Sequence, residues 1–98
     1  MNQESIMSMS GIDRTNNILI SIAQVRVKAK IITQAEITGH KGNYHVIFTN
    51  KEAEWDGKPM ILASSRNPYE PKIFKSLDGA MANVLRTGLT NACIKVTE

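Results

Sequence analysis

Arg26, Lys28 and Lys30 alternate with Val25, Val27, Ala29 and Ile31. This is the one spacing in the chain that points to a ligand. On an extended strand, side chains two residues apart leave the same face about 6–7 Å from one another. That interval resembles the phosphate spacing along one nucleic-acid strand, so the row would track a backbone. Lys41, Arg66, Lys72 and Lys75 would extend the track where their loops fold to the same side. The competing reading is a solvated strand face whose charges block edge pairing. No pair of aromatic residues interleaves with these cations, so no base-stacking platform is expected.

Other chemistries find less support. His40 and His45 lie five residues apart with Glu36 nearby, which falls short of a convincing metal ligand set. No metal and no cofactor are expected. Cys93 is the single cysteine, which excludes an intrachain disulfide and reads as a small packed or half-packed thiol in a reducing compartment. The serines do not form a nucleophile elbow, and the dispersed glycines form neither a phosphate loop nor a dinucleotide loop. Glu52 and Glu54 fall in a turn-rich segment, where solvated carboxylates are the usual outcome. No catalytic residue is assigned, and a non-enzymatic protein is expected. Trp55, beside Asp56-Gly57, and Tyr69, between Pro68 and Pro71, read either as lids over the core edge or as exposed anchors for a protein partner.

These residues need a frame. The 98 residues, 42% of them hydrophobic, suit one domain. Residues 1–16 are polar and aperiodic and read as a flexible tail, leaving 17–98 as the folded part. The net charge of +3 is mild, but its distribution is uneven. Residues 24–51 carry Arg26, Lys28, Lys30, Lys41 and Lys51 against Glu36 alone, and residues 52–59 reverse the sign with Glu52, Glu54 and Asp56. Adjacent patches of opposite sign suit self-association or a protein partner as well as nucleic acid. The N-terminus shows no signal pattern, and Ser21, Gln24 and Arg26 interrupt the longest apolar stretch. A cytoplasmic protein with no membrane partner is expected.

Residues 18–37 carry two periodicities. Ile18, Ile22, Val25, Ala29 and Ile32 fall at helical spacing, while residues 24–31 alternate strictly. The wealth of Ile and Val tips the expectation toward a strand. Residues 36–49 read as a hairpin around Gly39-His40-Lys41-Gly42-Asn43, and residues 60–65 and 73–74 as further strands. Ser76 and Asp78 open a helix that Gly88 closes, with Leu77, Ala80, Met81, Val84 and Leu85 as its apolar stripe. Residues 92–97 close the chain as a strand. The expected fold is α+β: a mostly antiparallel sheet in β-β-α-β order with one C-terminal helix packed on it.

Three segments, Ile61-Leu62-Ala63-Ser64-Ser65-Arg66, Pro71 through Ala80 and Leu85-Arg86-Thr87-Gly88-Leu89, resemble the C-terminal part of small plasmid-encoded, partition-associated accessory proteins. The loop 67–70 is longer than that group leads one to expect. The resemblance implies a bacterial mobile-element origin and a non-enzymatic role in binding protein or nucleic acid, and it transfers no binding residue. The alternatives are a small DNA- or RNA-binding regulator using the basic strand face, and a small enzyme.

Overall fold

The computed structural model describes residues 16–55 and 57–97, without the Trp55 side chain. The chain runs β1 (Asn17–Ile18), α1 (Ile20–Lys28), β2 (Ala35–His40), β3 (Asn43–Phe48), a 3-10 turn (Lys51–Ala53), β4 (Glu54–Trp55), β5 (Lys58–Leu62), α2 (Leu77–Thr87) and β6 (Cys93–Thr97). The main sheet has the order β1-β5-β3-β2-β6, with β4 paired to β5 off that path. β5, β3 and β2 are antiparallel neighbours, while β1 runs parallel to β5 and β6 parallel to β2. The fold is α+β, but the sheet is mixed rather than mostly antiparallel, and it carries two helices rather than one.

Strand alternation is cleanest in the centre. Tyr44, Val46 and Phe48 of β3 are buried, and the register sets them opposite Gly39, Ile37 and Ala35 of β2. Met60 and Leu62 continue this apolar face on β5. The two-residue turn Lys41-Gly42 is tighter than the loop expected from composition, because the strands run through His40 and Asn43. Gly39 is needed here: with φ at 118°, a Cβ would collide with the Asn43 carbonyl oxygen.

Residues 18–32 do not form a long strand. Only Asn17–Ile18 is extended, and Ile20–Lys28 is helical. The reason lies in the topology. The chain must pass from β1 at one edge to β2 beyond β5 and β3, and a helix over the apolar face makes that crossing while satisfying its own backbone. Ala23 is fully buried in the core, and Val27 packs near Gly88, the cap of the second helix. Val25, which a strand could have sheltered, is left 67% exposed.

Helix α2 follows its sequence signals. The Ser76 Oγ accepts the Gly79 amide at 3.0 Å, and Gly88 takes φ of 106° at the C-terminal end. Its buried line is Ala80, Val84 and Thr87, with Leu77 and Met81 half-buried. The expected Leu85 is 52% exposed instead. Contact with α1 rotates the inward face toward Thr87, whose hydroxyl donates to the Val84 carbonyl at 2.6 Å and so enters the core without an unmet polar group.

One buried amide fastens the exit of α1 to the end of β3. Asn50 Oδ1 accepts the Thr33 and Gln34 amides at 2.9 and 3.3 Å. Its Nδ2 donates to the Ile31 carbonyl and to Glu52 Oε1 at 2.8 and 3.2 Å. The bond from Asn50, more than any other influence, holds the Glu52 carboxyl below the ordinary range. Residues 1–15, most of the tail read from the sequence, lie outside the described residues. Asn16 is fastened, its Nδ2 donating to the Lys58 and Pro59 carbonyls at 3.2 Å each.

Candidate interaction surface

The basic row does not survive as a row. On a helix, residues two apart leave nearly opposite sides, so Arg26 and Lys28 cannot share a face. Arg26 is half-buried: its Nη1 lies 3.6 Å from Met60 Sδ, and it lines a cavity of about 190 Å³ together with Glu52 and Glu54. Burial lowers its pKa from the ordinary arginine value. Lys28 and Lys30 are exposed at the helix end, with Lys30 in the left-handed region at φ 63°.

The other cations are dispersed. Lys41 sits in the β2–β3 turn, and Lys75 follows Phe74, which bridges to Tyr44 at the same end of the hairpin. Arg66 lies in a loop pinned at its base by the Ala63–Pro71 bridge and the Ser64 amide bond to the Glu70 carbonyl at 2.9 Å. Tyr69 stands in that loop, 62% exposed. Lys72 instead lines a small cavity together with Arg86 of α2, a residue that no local pattern singles out. The Trp55 side chain lies outside the described structure.

His45 faces Thr38 across the hairpin, which puts it one diagonal step from Glu36, while His40 is exposed by the turn. Among the described residues, no group of three or more His, Cys, Asp or Glu side chains gathers as a metal site. Cys93 is exposed on an open depression of about 440 Å³ whose lining includes Gln34, Glu36 and Lys95. The one carboxylate there, Glu36, stands 3.9 Å from the Lys95 ammonium.

The largest feature is the β6 end of the sheet. β6 pairs with β2 on one side only, so its other edge is open among the described residues. Four of its five residues are exposed, including Ile94 at 53%. Register with Ile37 and Gly39 sets Ile94 and Val96 on the apolar side of the sheet, where the helices lie. Helix α2 packs chiefly over β3 and β2. Asn83 and Arg86 face the start of α1, so helical spacing puts Met81 and Leu85 on the opposite flank, toward β6. Leu85 and Ile94 are exposed apolar residues of α2 and of the edge strand, with Met81 and Val96 half-buried beside them in sequence order. Lys95, the one charged residue of β6, leans onto Glu36 across the other face and does not guard the edge.

Part of this surface is written in the sequence, since Ala92, Ile94 and Val96 alternate as an apolar strand face. What local pattern cannot say is that Ile94 stays exposed at the sheet's edge. No helix among the described residues is long and apolar enough to cross a membrane. No family model, curated protein or solved structure matches the chain.

Proposed function

We propose that the protein is a non-enzymatic binding module that assembles with a second copy of itself along β6. One observation carries this reading: among the described residues β6 has one unpaired edge, and the exposed Ile94 on it and the exposed Leu85 of α2 both belong to the helix-bearing side of the sheet. An open edge offers its amides and carbonyls as a template, and exposed apolar side chains on that side supply the area that backbone pairing alone lacks. Two-fold pairing suits a surface that must meet its own image. An antiparallel pair centred on Ile94 would set Ala92 opposite Val96 of the partner subunit, with all of these side chains on the helix side.

The resemblance of residues 61–89 to plasmid-encoded accessory proteins supports a place for this module in a bacterial mobile element, with action through protein binding. The nucleic-acid reading built on a basic strand has no strand to rest on. The full chain should sediment as a dimer that dissociates on dilution. Ile94→Lys should return it to a monomer with an unchanged thermal midpoint, because the side chain is exposed in the single copy. A monomer at every concentration would overturn the proposal, and so would a dimer indifferent to Ile94→Lys. A heterologous protein captured at this edge by a monomeric chain would keep the surface and replace the occupant.

A further inference from the structure

Lys72 and Arg86 face a cavity of about 60 Å³ between the start of α1 and the flank of α2, lined also by Ser65 and Asn83, with Ile20 and Leu62 as its apolar part. No carboxylate lines it, and neither cation has an ion-pair partner among the described residues. Two positive groups around one small cavity raise each other's energy unless an anion joins them. The lysine side chain and the helix turn that carries the arginine are both anchored. The Lys72 ammonium lies 5.6 Å from the centroid of the buried Phe74 ring. The Arg86 carbonyl accepts Gln24 Nε2 at 2.8 Å, which ties this turn of α2 to α1.

The neutral groups add donors. Asn83 Nδ2 donates to the Gly79 carbonyl at 3.2 Å and has a second hydrogen to offer. The Ser65 hydroxyl lies beside it in the lining. A water's share of liquid volume is about 30 Å³, so this space of about 60 Å³ suits roughly two waters or one small polyatomic ion. The parallel strands β1 and β5 both end here, and α1 begins here. The positive end of that short helix favours an anion, although a helix end alone would not hold one.

We propose that this cavity binds a single tetrahedral oxyanion: a phosphate, either free or as the monoester end of a small molecule. Arg86 supplies a planar fork of donors, Lys72 a point charge, and Asn83 and Ser65 neutral hydrogen bonds. The cavity lies on the flank of α2 that meets α1, away from β6. Its test is therefore separate from that of self-assembly, and either can fail alone.

Inorganic phosphate titrated into the isotope-labelled full chain should give saturable shifts in the amides of Ile20, Ser65, Asn83 and Arg86. The double variant Lys72→Gln/Arg86→Gln should weaken binding by about tenfold or more, the worth of one charge-assisted hydrogen bond. Its ligand-free melt should stay close to that of the parent, since relief of like-charge repulsion offsets the lost Lys72–Phe74 contact. A 5′-mononucleotide that binds more tightly than phosphate, beside a silent nucleoside, identifies a phosphomonoester; equal binding identifies free phosphate. Absence of saturable shifts, or shifts that persist unchanged in the double variant, would overturn the proposal. So would binding seen only with a long polyanion, because a surface track and not this small cavity would then be responsible.

Discussion

Helix α2 begins where Ser76 accepts the Gly79 amide and ends where Gly88 turns left-handed. Helix α1 begins after Leu19 with no side-chain cap and no acidic residue in its first turn. Its end is closed by the Lys30 amide bonding to Val27 and the Ile31 amide to Arg26, with a lysine in the left-handed position that glycine usually takes. Both helices lie on the same face, and Val27 touches Gly88 where they meet. One carries its own punctuation, whereas the other is imposed by neighbours. A helix of nine residues rich in Ile and Val is not stable alone, so packing and the fastening at Asn50 must supply what local preference withholds.

The largest test of that contrast is Asn50→Ala. It strips partners from two amides and a carbonyl in the segment leaving α1, at a cost of about 2–3 kcal/mol. Hydrogen exchange should show α1 losing protection before α2. Equal loss in both helices would mean that α1 is not held chiefly from this end. Ser76→Ala should cost about 1 kcal/mol and fray only the first turn of α2. A chemical-denaturation midpoint identical to the parent's would show that the cap contributes nothing net.

The same contrast explains what the sequence made legible. The hairpin β2–β3 is readable because Gly39 and Gly42 mark a turn and residues 44–49 follow it as a β-rich run. α2 was readable from Ser76 and Gly88. α1 was not, because Val25, Val27, Ala29 and Ile31 obey strand periodicity while the crossing from β1 to β2 demands a helix. That demand arises from strand order, a non-local property. The candidate surface followed the same division. The apolar alternation of β6 was visible, but Leu85 was read as core, since nothing local reveals that α1 pulls Thr87 inward and turns Leu85 out. Local pattern assigns Lys72 to a basic track and says nothing of Arg86, because only the meeting of two distant segments brings them to one cavity.

The smallest effect is also the most discriminating. Lys30 holds φ of 63°, a conformation that costs an L-residue about 1–2 kcal/mol and costs glycine almost nothing. Glycine gives back about 0.4–1 kcal/mol through its freer unfolded chain. Lys30→Gly should therefore stabilise the protein by a net few tenths to about 1 kcal/mol, raising the thermal midpoint and slowing exchange at the Ile31 and Ile32 amides that bond to Arg26. Helix α2 already has its glycine and should not respond. If the variant melts at or below the parent temperature, the lysine is not strained at this position, and the end of α1 owes more to its own sequence than the contrast between the helices allows.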